Sequence, residues 1–105
     1  MNITYPTTLV LQALARGIRH GFDILDATGL ASGTVYPILR RLDREGYVRS
    51  RWEREALAHR EQRPPRRYYE LTAQGERMLA QSLERHASAA LVIPRAPAGA
   101  RPQEG

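Results

Sequence analysis

The fold is decided by residues 32–46, SGTVYPILRRLDREG, which have the periodicity and the end signals of one amphipathic helix. Ser32 is a favoured N-cap residue, and Gly46 is a residue at which helices end. One face carries apolar side chains at helical spacing: Val35, Ile38, Leu39 and Leu42. The other face carries Thr34, Pro37, Arg41 and Arg44, with Tyr36 and Arg40 on the flanks. We therefore predict a helix from Ser32 to about Glu45 that buries one face and presents a polar, cationic face.

Two further helices are predicted upstream of this segment. Pro6 suits the first turn of a helix, because the N–H that proline lacks would be unpaired there in any case. Apolar residues at helical spacing follow, up to Gly17: Leu9, Val10, Ala13 and Leu14. A second helix is predicted from about His20 to Thr28, with Gly29 as a left-handed cap. We expect it to bury Phe22, Ile24 and Leu25. Two helices joined by a tight turn containing glycine are typical of a helix-turn-helix.

Two short strands are predicted after Gly46. In the first, Val48, Ser50 and Trp52 share one face, and we expect Trp52 in the core. In the second, Tyr69 and Leu71 alternate with Tyr68 and Glu70. Residues 54–65 between the strands are polar and end in two prolines, which predicts a long hairpin loop. This loop and its exit are rich in arginine: Arg54, Arg60, Arg63, Arg66 and Arg67.

One long helix, from about Thr72 to Ile93, is predicted to follow the hairpin, with Thr72 as its N-cap. Leu79, Leu83, His86, Ala90 and Ile93 alternate at spacings of four and three, which is the seam of a coiled coil. We predict that this seam pairs with a second copy of the chain; the alternative is that the helix folds back and buries the seam on its own core. The predicted organisation is a DNA-binding domain over 1–71, a dimerisation helix over 72–93 and a disordered tail over 94–105.

Composition excludes several classes of function. The chain has no cysteine, which removes disulfide frameworks, zinc ribbons and thiol nucleophiles. Its three histidines are scattered and form no metal-binding pattern, so we expect neither a metal nor a cofactor. Asp23 and Asp26 lie three residues apart, but nothing supplies a nucleophile, a base and an oxyanion donor together, so we expect no enzyme. No apolar run reaches the length of a membrane span and the N-terminus lacks a signal-peptide pattern, so we expect a cytoplasmic protein with no membrane partner.

The basic balance of the chain points to a polyanionic partner. The formal net charge is +5, and all 16 basic residues are arginine. Arginine presents a planar fork of donors that suits phosphates and guanine edges, although a GC-rich genome would also enrich it. We expect double-stranded DNA to be contacted from the third helix by Ser32, Thr34, Tyr36, Arg40 and Arg41. The hairpin loop and its exit, residues 54–67, would act as a wing that contacts the DNA through Arg63, Arg66 and Arg67. The alternative role for Tyr36 is to anchor its helix, and that for the arginines is to be solvated surface charges.

Four segments of the chain resemble the PadR-like transcriptional regulators. They are residues 20–24 (HGFDI), 32–42 (SGTVYPILRRL), 45–48 (EGYV) and 65–75 (PRRYYELTAQG). The Tyr-Pro within the third helix and the Arg-Arg-Tyr-Tyr strand make the resemblance specific. It implies a winged-helix homodimer, usually a repressor, of a compact subgroup in which the last helix pairs with the partner's N-terminal helix. A small-molecule effector would then bind at the dimer interface.

The prediction from sequence is therefore a mainly α protein with a small β-hairpin (α+β), organised as a winged helix-turn-helix domain plus a C-terminal dimerisation helix. Its expected function is sequence-specific regulation of bacterial transcription, as a nucleoid-associated homodimeric repressor on a pseudo-palindromic operator. Two alternatives remain open at this point. One is a winged-helix module that binds a protein partner, and the other is a basic protein that binds RNA or binds nucleic acid without specificity.

Overall fold

The computed structural model describes residues 3–94, which form six helices and one antiparallel hairpin. The elements are α1 (Tyr5–Ala15), α2 (Gly21–Thr28), α3 (Ser32–Arg44), β1 (Val48–Trp52), α4 (Glu55–Arg60), β2 (Arg67–Leu71), α5 (Ala73–Arg85) and α6 (Ala89–Val92). This order confirms the predicted mainly α fold with a small hairpin. No helix among residues 3–94 has the length and apolar composition needed to cross a membrane. The predicted disordered tail lies outside the described residues, apart from Pro94.

Helix α1 forms the centre of the fold. It is buried on nearly every side from Thr7 to Leu14, because α2, α3, α5, α6 and β2 all pack against it. The Thr4 side chain caps its first turn by accepting a hydrogen bond from the Thr7 backbone N–H, and Pro6 lies in that turn as predicted. Because α1 is buried all round, including the polar side chains of Thr7, Thr8 and Gln12, the rest of the chain is arranged as a shell around it.

Helices α2 and α3 form the predicted helix-turn-helix. Gly29 ends α2 in the left-handed conformation, with φ of 72°. The predicted apolar face of α3 is buried against the core: Val35, Ile38, Leu39 and Leu42. The predicted N-cap is wrong by one residue. Ala31 holds that position, with an extended backbone and a carbonyl that accepts from the N–H groups of Thr34 and Val35. Ser32 is already the first residue of the helix, and its side chain is exposed.

Strands β1 and β2 pair in the register Val48↔Leu71, Ser50↔Tyr69 and Trp52↔Arg67 on one face of the hairpin. The segment before α2 contacts the other side of β2 through a single isolated β-bridge. There, His20 bridges Tyr68, and the Tyr69 N–H donates to the Arg19 carbonyl at 3.0 Å. The hairpin is therefore attached at its base to the start of α2, which fixes the wing relative to the helix-turn-helix.

Two aromatic side chains that were expected in the core are exposed. Phe22 is 73% exposed and Trp52 is 63% exposed. Helix α2 contacts the core through Ile24, which is fully buried, whereas Phe22 lies in its first turn, on the solvent side. Trp52 lies at the last residue of β1, at the end of the hairpin away from the core. Both expectations assumed that a large apolar side chain is buried, a rule that holds only on average.

The segment predicted as an extended hairpin loop contains a helix. Helix α4 spans Glu55–Arg60 and buries Ala58, with Leu57 half-buried beside it. Gln62 then adopts a positive φ of 56°, and the chain returns through two prolines to β2. The wing is consequently a folded unit with its own small apolar contact.

The single helix predicted from Thr72 to Ile93 is two helices. Thr72 caps α5 as predicted, accepting from the Gly75 N–H at 3.1 Å. The helix ends at Arg85, His86 leaves the helical conformation, and α6 follows after a turn. The turn brings Ala89 and Ile93 into the core, where they are 0% and 2% exposed. A straight helix would have carried both residues away from α1, so burial of these side chains accounts for the break.

Candidate nucleic-acid interface

The outer face of α3 presents guanidinium groups that have no protein partner. Arg40, Arg41 and Arg44 are exposed, and among residues 3–94 no ion pair or hydrogen bond holds their side chains. Ser32 and Thr34 are exposed at the start of the same helix. The sequence predicts Arg44 on this outer face, but Arg44 is not among the residues predicted to contact DNA. The face therefore offers hydroxyl and guanidinium donors, which are the groups that contact phosphates and base edges.

Tyr36 is half-buried on the flank of α3 and lies over the first residue of α2. A Cβ atom added to Gly21 would come within 2.5 Å of the Tyr36 hydroxyl oxygen, so glycine is what leaves room for the phenol ring in this position. This contact gives a structural reason for the glycine in the His20-Gly21-Phe22 segment. The two predicted roles of Tyr36 are compatible, because its ring packs against the start of α2 and its side chain also lines a cavity.

Arg63 is committed to an ion pair inside the wing. Its guanidinium contacts both carboxylate oxygens of Glu53, at 2.5 and 2.9 Å, and Glu53 is only 6% exposed. The bond from Arg63 is the main reason that the pKa of Glu53 falls to about 2, with a backbone N–H of Arg66 also donating to the carboxylate. The structure thus places Arg63 near the other predicted wing residues, but with its charge already paired.

Arg67 is held against the face of the hairpin. Its guanidinium lies 5.6 Å from the centre of the Trp52 ring, donates to the Ser50 hydroxyl at 2.7 Å and lies 3.6 Å from the Asp43 carboxylate. The Ser50 hydroxyl also donates to Asp43 at 3.1 Å. Because Asp43 belongs to α3, this network connects the wing to the third helix and fixes their relative position.

Arg66 differs from both of its neighbours. Its side chain is exposed, and among residues 3–94 no ion pair or hydrogen bond holds its guanidinium. Its backbone is fixed nonetheless, because the Arg66 N–H donates to the Glu53 carboxylate and the Arg66 carbonyl accepts from the Glu53 N–H at 2.7 Å. Of the three predicted wing arginines, Arg66 alone combines a fixed backbone with an unpaired charge in the described part of the chain.

His20 has a structural position at the base of the wing. It is 9% exposed, and its ring packs edge-on against Tyr68 at 5.6 Å. Burial lowers the pKa of its imidazole, while the nearby Asp23 carboxylate acts in the opposite direction. Its Nδ1 has no hydrogen-bond partner among the described residues. Residues 3–94 contain no group of three or more potential metal ligands around it or elsewhere.

A cavity of about 400 Å³ lies between the start of α2, the flank of α3 and the exit of the wing loop. We call it the wing-root cavity. Its walls combine aromatic rings and arginines, including Phe22, Tyr36, Tyr69, Arg66 and Arg67. Burial raises the pKa of the Tyr69 hydroxyl. Phe22 and Tyr69 were not predicted as site residues, since Phe22 was expected in the core and nothing in the sequence brings Tyr69 next to Tyr36.

The five residues of the predicted dimerisation seam are divided by the fold. Leu79 and Ile93 are buried in the protomer's own core, whereas Leu83, His86 and Ala90 are half-buried. The His86 ring packs edge-on against Tyr5 of α1 at 5.7 Å, and the Ala90 carbonyl accepts from the Arg16 guanidinium at 3.1 Å. Helix α6, which contains Ala90, also carries two exposed apolar side chains: Leu91 is 88% exposed and Val92 is 49% exposed.

Comparison with known proteins gives one consistent result. The profile of the transcriptional regulator PadR-like family matches residues 10–81. A PadR family transcription regulator from Clostridium difficile aligns with a TM-score of 0.67 at 22% identity, over 85% of this chain and 94% of that chain. A transcriptional regulator from Clostridium thermocellum aligns with a TM-score of 0.63 at 25% identity, over 84% of this chain and 85% of that one. A PadR family regulator from Eggerthella lenta gives 0.59 at 25% identity, over 76% and 72%. Comparison with curated proteins gives no match.

Proposed function

Because the chain belongs to the PadR-like family of transcriptional regulators, we propose that it is a repressor that binds a pseudo-palindromic operator as a homodimer. Membership of the family makes it a DNA-binding transcriptional regulator and not an enzyme. Its partner is double-stranded DNA, and its place is on the nucleoid in the cytoplasm. A dimer bound across a promoter would exclude other proteins from the same DNA, which is why we propose repression.

The observation that carries this proposal is the outer face of α3. Three exposed guanidiniums without protein partners in the described chain, on Arg40, Arg41 and Arg44, lie on the helix that a helix-turn-helix inserts into the major groove. Arginine donates to the two acceptors of guanine there, and neighbouring phosphates attract the remaining charge. A winged-helix module that binds protein would not need an unpaired cationic face on this helix, which makes that alternative weaker.

The homodimer is proposed through α5 and α6. Leu83, His86 and Ala90 of the predicted seam are half-buried, and the exposed side chains of Leu91 and Val92 extend the same end of the molecule with apolar surface. Leu79 and Ile93 would support this surface from within the protomer. A two-fold dimer would place two α3 helices about 34–36 Å apart, one turn of DNA, and so require two related half-sites. An effector bound at the dimer interface stays a prediction.

The experiment that tests the function is a gel shift with the DNA upstream of the protein's own gene, with and without excess unrelated duplex. Arg40→Ala and Arg41→Ala should each weaken operator binding by about 1–3 kcal/mol and relax the preference at one base position. Arg77→Ala, which removes an exposed arginine from α5, is the matched control and should bind like the wild type. Equal binding of operator and unrelated duplex by the wild type would contradict sequence-specific regulation.

A further inference from the structure

The wing-root cavity lies where one DNA strand must pass if the proposed function is right. In a winged helix-turn-helix, α3 enters the major groove and the wing reaches the neighbouring backbone or groove. The sugar-phosphate strand that separates these two grooves therefore runs between α3 and the wing. The cavity opens between the same two elements and is closed on its third side by the start of α2.

We propose that the wing-root cavity holds one phosphate and the adjoining deoxyribose of that strand, with Arg66 and Tyr36 on the phosphate and Phe22 on the sugar. The inference rests on the proposed function and deepens it, because it names a DNA contact made by α2 and by the flank of α3, away from the base-reading face. It also assigns a role to Phe22, which the fold itself leaves unexplained.

The charges around the cavity favour one anion. Arg63 is neutralised by Glu53, and the charge of Arg67 is shared with Asp43 and Ser50, so Arg66 is the cation left to bind a ligand. Its backbone is held by two hydrogen bonds to Glu53, which limits where the side chain can reach. A fixed arginine at the edge of a cavity suits a phosphate, since the guanidinium can donate two parallel hydrogen bonds to it.

The aromatic walls suit a sugar. Phe22 is 73% exposed at the edge of the cavity, although a phenyl ring in water loses the favourable free energy of burial. The carbon atoms of deoxyribose provide an apolar surface that can cover such a ring without requiring hydrogen bonds from it. Because α2 packs on the core through Ile24, Phe22 makes no large contribution to the fold, and contact with DNA is the role that its position allows.

Gly21 and Tyr36 both line this cavity and lie against each other. The phenol ring lies against the Gly21 backbone, so that a Cβ there would meet the hydroxyl oxygen and two ring carbons at 2.5–2.9 Å. A hydroxyl held in this way can donate to a phosphate oxygen with little loss of side-chain entropy on binding. Tyr36, held in place by its contact with Gly21, is therefore a preformed hydrogen-bond donor that does not depend on the arginines.

The test is a scan of the operator with single neutral methylphosphonate linkages. Wild-type protein should lose about tenfold in affinity when the phosphate seated in the cavity is neutralised, as expected for a hydrogen bond to a charged group. Tyr36→Phe and Arg66→Ala should each weaken binding to unmodified operator and lose the penalty at that same phosphate, one position in each half-site. Arg41→Ala should weaken binding but keep the penalty, and Arg77→Ala should change neither.

A second measurement observes the sugar contact without mutation. Phe22 is the only phenylalanine in the chain, so protein labelled with 4-fluorophenylalanine gives one ¹⁹F resonance from this position. The resonance should shift when operator binds to the wild type, and it should shift by the same amount when operator binds to the Arg77→Ala control. If wild type binds operator specifically but both variants keep the full methylphosphonate profile, the inference is overturned while the proposed function stands. Benzoate tests the alternative that the cavity binds a small aromatic anion. A ¹⁹F shift with benzoate and none with operator would overturn the inference in favour of that alternative. Failure of wild type to prefer operator over unrelated duplex overturns the proposed function instead.

Discussion

The carboxylate of Glu53 and the guanidinium of Arg63 form a bidentate ion pair across the base of the wing loop. The pair joins the residue that follows β1 to the third residue after α4, ten positions later, and the Glu53 side chain is 4% exposed. One of the two carboxylate oxygens, Oε1, also accepts a hydrogen bond from the Arg66 N–H. These bonds close the loop onto the hairpin, so the wing has a defined conformation before any DNA is bound.

Glu53→Gln should therefore lower the stability of the protein, and the effect should depend on pH. The pKa of Glu53 is lowered from 4.5 to about 2 in the folded state, so the carboxylate contributes stability above pH 4.5 and loses it as the pH falls from 4.5 towards 2. Urea unfolding followed by Trp52 fluorescence should show a lower midpoint for the variant at pH 7 and a difference that shrinks as the pH approaches 3. Glu84→Gln, an exposed carboxylate on α5, is the control. A difference that stays constant from pH 7 to pH 3 would contradict the assignment.

The two wing arginines should separate in their salt dependence. Arg66→Ala removes an unpaired charge, so the slope of log affinity against log salt concentration should become less steep by about 0.9 for each protomer. Arg63→Ala removes a charge that Glu53 already neutralises, so it should weaken DNA binding by loosening the wing while the slope changes little. Binding isotherms from 50 to 300 mM salt measure both quantities. If Arg63→Ala flattens the slope as much as Arg66→Ala does, Arg63 contacts phosphate directly and the wing assignment is wrong.

Two glycine substitutions should affect different properties: Gly21→Ala should lower operator affinity, and Gly75→Ala should lower the stability of the protein. Gly21→Ala places a methyl group against the end of the Tyr36 side chain, which can rotate away; the fold should survive while operator affinity falls. Gly75→Ala drives a Cβ into the Tyr47 carbonyl oxygen, which is backbone and cannot move without shifting the start of α5. We expect Gly75→Ala to destabilise the protein by about 1–3 kcal/mol or more. Circular dichroism melts and gel shifts on both variants provide the comparison, and a stable Gly21→Ala protein with unchanged affinity would remove Tyr36 from the interface.

The sequence predicted the helix-turn-helix well because its signals are local. The apolar stripe of α3, the left-handed Gly29 and the cap at Thr72 each depend on residues within a few positions of one another. Phe22 and Trp52 were predicted in the core and are exposed, because hydrophobicity reports which environment a side chain prefers and not where the fold places it. The pairing of Glu53 with Arg63 depends on how the loop folds, and neither α4 nor the pair leaves a periodic pattern.

The C-terminal segment shows a different limit of sequence reasoning. A spacing of four and three is the same whether a helix pairs with another chain or folds back on its own core, since both bury one stripe. Leu79 and Ile93 are buried in the protomer's own core, and the turn at His86 makes the burial of Ile93 possible. The residues predicted to contact DNA divide in a similar way: the α3 arginines and Arg66 are exposed and have no side-chain partner among residues 3–94, whereas Arg63 and Arg67 are held by Glu53 and Asp43.

The proposed dimer surface contains one apolar residue whose side chain lies almost wholly outside the core. Leu91 is 88% exposed, so Leu91→Asp removes apolar surface without disturbing the core. We expect this variant to melt like the wild type, to run as a monomer in light scattering and to lose operator affinity, because a single half-site provides only part of the contacts. Leu79→Asp is a less informative change, since Leu79 is 7% exposed and the charge should unfold the protein. Ala56→Asp places the same charge on an exposed position of α4 and should leave a dimer. A wild-type protein that is monomeric at micromolar concentration and still binds operator as a monomer would rule out the proposed assembly.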